Sequence, residues 1–174
     1  NVFNKFPRVV RDLGRKLGKQ IDINIVGSEV ELDKSILENL ADPLTHIIRN
    51  CCDHGIETPA DRERAGKPAV GSILLKASHE AGQISIQVKD DGKGIDPTVV
   101  KAKALQRKMR SEDDLARMSD QEIIALVALP GFSTAEKISD VSGRGVGMDV
   151  VRTTVEKLGG FLEVDSHVGE GTTI

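Results

Sequence analysis

Ile84-Ser85-Ile86-Gln87-Val88-Lys89-Asp90-Asp91-Gly92-Lys93-Gly94-Ile95 is the stretch on which the fold turns. Its first half alternates apolar and polar residues, the period of a half-buried strand. Ile73 to Ala77 reads as a partner strand, joined to it by the turn Glu80-Ala81-Gly82-Gln83. The second strand delivers a carboxylate, Asp90, followed by glycines that permit close backbone approach. A carboxylate at the bottom of an apolar pocket can accept a hydrogen bond from an exocyclic amine such as that of adenine. Asp91-Gly92 is equally a common hairpin-turn pair, so this stretch alone leaves both readings open.

Upstream, Phe3, Phe6, Val10, Leu13 and Leu17 recur every three or four residues and predict a helix, with Pro7 tolerable in its first turn. Ile21, Ile23 and Ile25 alternate with Asp22 and Asn24 as a strand. Gly27-Ser28 is a turn signal, and Val30-Glu31-Leu32 reads as the returning strand. Asp33 is a good N-cap for a long helix with an apolar face of Ile36, Leu37, Leu40, Leu44, Ile47, Ile48 and Cys51. Pro43 predicts a kink and Gly55 an end. Residues 57–70 read as a polar surface connection. Downstream, 96–146 is mostly polar, with helical stretches at Pro97 to Gln106 and Asp120 to Leu129. Met148, Val150, Val151, Val155 and Leu158 make another amphipathic helix, Phe161 to Val164 a strand, and Thr172 opens one more. Strands mostly in hairpin order with helices to one side predict an α/β (α+β) chain. The expected architecture is a two-layer α/β sandwich, a mixed, mostly antiparallel sheet with helices on one face.

The bulk composition sets limits. A chain of 174 residues suits one domain, or one domain with a short appendage. Charged residues are 29% and the net charge is -3, an ordinary soluble surface without the basic excess of a duplex nucleic-acid binder. The adjacent pair Cys51-Cys52 makes no disulfide framework and no zinc motif, which fits a reducing, cytosolic home. Neither a membrane-length apolar run nor a signal peptide is evident. Asn1 at the start, and a last segment Gly171-Thr172-Thr173-Ile174 that stops where a strand begins, read as a piece of a longer protein. With four Phe, no Tyr and no Trp, a bound purine would rest on aliphatic side chains and be read by hydrogen bonds.

Two further constellations carry chemistry. His46, Asn50 and His54 recur every fourth residue, along one helical face about 12 Å long, with Arg49 and Asp53 beside it. The asparagine carbonyl suits Mg²⁺, and a histidine one turn away can orient or accept a proton. The same residues also suit ordinary satisfied histidines and a surface amide. Ser142-Gly143-Arg144-Gly145-Val146-Gly147-Met148-Asp149 places three alternate glycines before a helix, an anion site by exposed amides and helix dipole, or else a flexible connection. Its G-x-G-x-G spacing, with no strand leading in, is not the dinucleotide fingerprint. Gly14 to Gln20 mimics a P-loop but is one residue short and lacks the terminal Ser or Thr.

In this order the segments resemble the GHKL ATPase superfamily, the Bergerat fold of gyrase, Hsp90, MutL and histidine kinases. The helix bearing Asn50 resembles its N box, Asp90-x-Gly92-x-Gly94 its G1 box, Gly143-x-Gly145-x-Gly147 its G2 box, and Gly171-Thr172-Thr173 its last motif. Asp42 to Glu57, Pro130 to Thr134 and Val141 to Val151 are very similar to the chemotaxis histidine kinases of the CheA family.

The resemblance implies residues 1–20 as the end of a dimerisation helix with its joint, and 21–174 as an ATP-binding kinase domain with a lid at about 96–146. It implies that Asn50 coordinates Mg²⁺, that His46 acts near the γ-phosphate, and that His54 supports that region. It implies that Asp90, with Gly92, Gly94 and Ile95, reads adenine, backed by Thr172. Arg49 and Asp53 flank the nucleotide, Ser142, Gly143, Arg144, Gly145, Val146, Gly147 and Met148 hold the triphosphate, and Lys101 and Lys103 are lid contacts. The implied partners are a phosphoacceptor histidine domain, dimerisation and regulatory domains of the same kinase, chemoreceptors and a coupling protein. The setting is cytoplasmic, with the full protein recruited to receptor arrays. None of the four histidines need be the acceptor, His79 and His167 reading as surface-strand residues. Two other activities stay open: an ATP hydrolase of the gyrase or MutL type, which uses a glutamate where His46 stands, and a nucleotide-sensing docking module. Cys51 and Cys52 are expected to pack, not to react.

Overall fold

The structure, a computed structural model, describes residues 2–132 and 147–174. The chain divides into two compact units, Asn1–Gly94 with His167–Ile174, and Ile95–Ser166.

In the first unit a short 3-10 turn leads into helix α1 (Phe6–Leu17), which has Pro7 in its first turn and ends on Gly18 in the left-handed conformation. The P-loop-like run is thus a helix end and its cap. Strand β1 (Ile21–Val26) keeps Ile21, Ile23 and Ile25 inward of their polar neighbours. The predicted return strand at Val30–Leu32 does not form. The chain instead turns into helix α2 (Lys34–Asn50), where the Asp33 side chain accepts the Ser35 amide at 3.0 Å. A parallel partner needs such a crossover, and β1 pairs in parallel with β2 (Gly71–Glu80), Ile23 opposite Ile73.

Residues 57–70 are no mere surface connection. They contain helix α3 (Pro59–Arg64), with Thr58 as N-cap and Arg62 fully buried. Strand β2 turns back into β3 (Gln83–Asp90) through Ala81 and Gly82, both at positive φ, the geometry of a tight hairpin. Strand β5 (Gly171–Thr173) pairs antiparallel with β3, Thr172 opposite Asp90. The five-stranded mixed sheet runs β1-β2-β3-β5-β4, with β4 at Asp165–His167. Phe161 to Val164 therefore precedes a strand without forming one, and Phe161 is largely exposed.

Along β2, Gly71, Ile73, Leu75 and Ala77 are buried while Ser72 and Lys76 are exposed, so one face of the sheet is covered. The core joins them to Val88, to Phe6 and Val10 of α1, and to Leu44, Ile47 and Ile48 of α2. Each fully buried Leu, Ile or Phe contributes about 1.5–3 kcal/mol.

The second unit holds helices α4 (Pro97–Gln106), α5 (Glu112–Arg117) and α6 (Asp120–Ala125), a 3-10 turn at Leu126–Ala128, and α7 (Met148–Lys157). Val100, Ala104, Leu115, Ile123, Leu126 and Phe132 form its apolar cluster. No helix among the described residues is long and apolar enough to cross a membrane.

Candidate functional site

Asp90 ends β3 with only 3% of its surface exposed. Glycines make room for it. A Cβ on Gly55 would stand 3.0 Å from Asp90 Oδ2, one on Gly92 would collide with the Gly55 carbonyl oxygen, and one on Gly171 with the Asp90 carbonyl oxygen. Gly92 donates its amide to Asp90 Oδ1 at 2.9 Å, and the Cys51 thiol and the Thr172 amide also donate to this carboxylate. Burial pushes the Asp90 pKa up, and these three hydrogen bonds only partly offset it. An ionised carboxylate offers about four lone-pair directions. Three donors leave capacity for one more, which suits an exocyclic amine.

The two cysteines are buried and unpaired by disulfide. Burial, reinforced by the Asp90 charge, holds Cys51 well above the usual thiol range. Burial likewise raises Cys52 to about 11. Both are thiols at neutral pH. Cys51 packs and also donates to Asp90, a contact that spacing could not disclose.

One helical turn after His46, Asn50 Nδ2 lies 3.2 Å from His46 Nε2. The amide oxygen is the Asn50 atom suited to a cation. After Asn50 the helix widens into a π turn, Cys51–Gly55, closed by the Ile56 amide on the Cys51 carbonyl at 2.7 Å. His54 is exposed, its Nε2 3.6 Å from Asp53 Oδ2. Arg49 is half-buried on α2.

Lys19, from the joint after α1, donates to the Cys52 carbonyl at 2.9 Å and the Asp53 carbonyl at 2.8 Å. Burial lowers its pKa, with the Asp53 charge opposing. Among the described residues no three His, Cys, Asp or Glu side chains gather for a metal. A Mg²⁺ ion here would take Asn50 together with phosphate and water oxygens, the ligand mix this ion prefers.

The Asp90–Gly94 loop is held on both flanks. Gly94 has φ 75°, and a Cβ there would collide with the His167 carbonyl. Lys93 N–H donates to the Gly55 carbonyl at 2.9 Å, and Gly169 N–H to the Lys93 carbonyl at 2.7 Å. Arg62, Lys67 and Glu57 brace Asp91. None of the three was singled out in the sequence, because a charged residue in a polar run carries no sign of burial.

In the second unit, Ile95 N–H donates to buried Ser166 Oγ at 2.8 Å. Gly147 is the N-cap of α7, its carbonyl accepting the Val150 amide at 3.0 Å and the Val151 amide at 3.3 Å. Lys103 Nζ sits 4.8 Å above the Phe132 ring. Ser142, Gly143, Arg144, Gly145 and Val146 lie outside the described residues.

The family model described as histidine kinase-, DNA gyrase B-, and HSP90-like ATPase matches residues 39–174. The sensor histidine kinase CheAY of Helicobacter pylori is 57% identical over 172 residues, 99% of this chain and 21% of that protein. Chemotaxis protein CheA of Salmonella typhimurium is 51% identical over 173 residues, 99% of this chain and 25% of that protein. Chemotaxis protein CheA of Bacillus subtilis is 46% identical over 171 residues, 98% of this chain and 25% of that protein. The chain thus spans about a fifth to a quarter of the length of these relatives. A solved histidine kinase domain from a blue-light activated histidine kinase of Erythrobacter litoralis matches with TM-score 0.53 at 19% identity, over 99% of this chain and 61% of that one. That match bears on the fold alone. The buried, glycine-framed Asp90 and the His46–Asn50 pair fall within the matched span, and the chain belongs to the histidine kinase-, DNA gyrase B- and HSP90-like ATPase family, as an ATP-binding domain of the CheA type.

Proposed function

We propose that this domain binds Mg·ATP and passes the γ-phosphoryl group to a histidine on a separate phosphoacceptor domain of a chemotaxis kinase. The observation that carries the transfer reading is the His46–Asn50 contact, at the position where ATP-hydrolysing members of the superfamily place a glutamate. The glutamate those members use to activate water is replaced by His46, whose ring nitrogen meets the Asn50 amide instead. Phosphoryl transfer demands mainly positioning and neutralisation of charge.

In this reading Asp90 accepts the adenine amino group while Cys51, Gly92 and Thr172 hold its carboxylate in place. Gly94 and Ile95 complete the adenine side. Asn50 would hold Mg²⁺ through its carbonyl oxygen, and the ion would neutralise phosphate charge. His46 keeps the Asn50 amide oriented and stands near the γ-phosphate, with Arg49, Asp53 and His54 around it. Residues 142–148 are assigned to the triphosphate by the family resemblance alone. The bond from the γ-phosphorus to its bridging oxygen breaks, ADP leaves with that electron pair, and the acceptor imidazole nitrogen supplies the pair for the new P–N bond. The larger kinase is cytoplasmic and works with dimerisation and regulatory domains, a coupling protein and receptors.

The test is incubation of the chain with γ-labelled ATP, Mg²⁺ and a histidine-containing acceptor domain. Label on the acceptor histidine is expected. Release as inorganic phosphate instead would make the domain a hydrolase, and ATP binding with neither outcome would make it a docking module.

A further inference from the structure

Arg62 is fully buried, yet it lies outside every motif that points to nucleotide. A buried cation is costly unless its donors and its charge are met. Here two of its four hydrogen bonds go to Asp91, the neighbour of Asp90. Arg62 Nη1 donates to the Asp91 carbonyl at 3.1 Å and to Glu57 Oε1 at 2.9 Å, Nη2 to Asp91 Oδ2 at 3.1 Å, and Nε to the Pro68 carbonyl at 2.7 Å. Lys67 Nζ donates to Glu57 Oε2 at 2.8 Å, to the same Asp91 carbonyl at 3.1 Å and to the Gly92 carbonyl at 2.8 Å. Asp91 Oδ1 accepts the Ser72 amide at 2.8 Å. Glu57 stays charged between the two cations. Burial pushes its pKa up, but the Lys67 hydrogen bond and the charges of Lys67 and Arg62 outweigh that and leave it low.

One peptide unit connects this network to Asp90. The Asp91 carbonyl that receives both cations belongs to the same amide plane as the Gly92 N–H, and that N–H donates to Asp90 Oδ1. Two positive charges on the oxygen of an amide fix its plane and polarise its N–H, strengthening the bond at the other end. Turning the plane would break both ends together. We propose that Arg62, Lys67 and Glu57 are positioning residues for nucleotide selection: through the Asp91–Gly92 peptide they aim the Asp90 carboxylate and set how well it tells a 6-amino purine from a 6-oxo purine. This rests on the reading of Asp90 as the adenine acceptor.

Arg62→Leu strands Glu57 and Asp91 and destabilises the domain too much to report on selectivity. Lys67 is the better probe, because it lies at the edge of the network. The experiment is calorimetric titration of the whole chain and of Lys67→Gln and Lys67→Arg with ATP and with inosine triphosphate, alongside thermal melting. Expected is an ATP preference in the parent that shrinks about tenfold in Lys67→Gln, with ATP affinity falling and inosine triphosphate affinity little changed. Lys67→Arg restores the preference. A purely structural clamp would weaken both nucleotides equally or only lower the melting temperature, and either result overturns the proposal. A parent that binds both nucleotides equally refutes the adenine assignment of Asp90 itself, and binding of neither refutes the ATP reading.

Discussion

The two units are held together by different physics. In the unit Asn1–Gly94 with His167–Ile174, the core contains a buried guanidinium and a buried carboxylate, Arg62 and Asp90, each surrounded by directional partners. In Ile95–Ser166 the buried polar side chain among the described residues is the Ser166 hydroxyl. That unit relies on local signals. Asp96 caps α4 on the Thr98 amide, Ser111 caps α5 on the Asp114 amide, and Ser119 with Glu122 makes a capping box on α6. Helices of six residues do not persist alone, so these caps and the cluster around Phe132 must hold them. The contrast teaches where geometry is fixed by costly charge pairing and where it rests on weak, separable increments.

The largest expected effect breaks the charged side of the comparison. Arg62→Leu removes the cation and leaves Glu57 and Asp91 without it, a loss of roughly 3–5 kcal/mol for a broken buried ion pair. Urea unfolding of parent and variant measures it. A loss of less than about 1 kcal/mol would place the network no higher than a helix cap and erase the distinction between the units.

Asp90→Asn sharpens the same contrast by separating stability from function. It is expected to lower ATP affinity by about a hundredfold, as the charged acceptor is lost. On apo stability two effects oppose: the amide removes a buried charge, but its single oxygen cannot accept from Gly92, Cys51 and Thr172 as the carboxylate does. Burial raises the folded-state pKa of Asp90, so its ionisation opposes folding at neutral pH. That penalty is present above the raised folded pKa and disappears as pH falls below the unfolded value. The variant's stability relative to the parent should therefore be most favourable near neutrality and decline on acidification. Calorimetry and melts across that range check both statements, and unchanged ATP affinity would remove Asp90 from the site.

Much of the frame was legible because it depends on local pattern. Alternation disclosed β1, β2 and β3, Ala81-Gly82 their hairpin, Asp33 the start of α2, and Pro97 to Gln106 the bounds of α4. The spacing of His46 and Asn50 announced their contact. What stayed hidden depends on partners distant in sequence. The parallel pairing of β1 is decided by where the crossover through α2 packs, and Val30–Leu32 leads into that crossover instead of returning along β1. Asp165-Ser166-His167 has no strand preference of its own and is a strand because of its place at the sheet edge. Arg62 looked like a surface arginine because Asp91, which accepts two of its hydrogen bonds, is brought to it only by the fold. The π turn Cys51–Gly55, which no local pattern announces, is likewise a product of packing, since Cys51 and Cys52 are both buried.

The smallest expected effect tests the other side of the comparison. Ser119 Oγ accepts the Glu122 amide at 3.2 Å, and Glu122 Oε1 accepts the Ser119 amide at 3.2 Å. Ser119→Ala removes the first of these bonds, at about 1 kcal/mol. If the increments of Ile95–Ser166 are separable, the loss should surface as faster amide exchange in α6 and the turn Leu126–Ala128, beneath Ile123 and Leu126 of the apolar cluster. Exchange in β2 and β3, where the charged network and the sheet set the opening free energy, should stay unchanged. Equal acceleration in both units would show that one cooperative transition governs them, and the division between charge-fixed and cap-fixed regions would then have no energetic meaning.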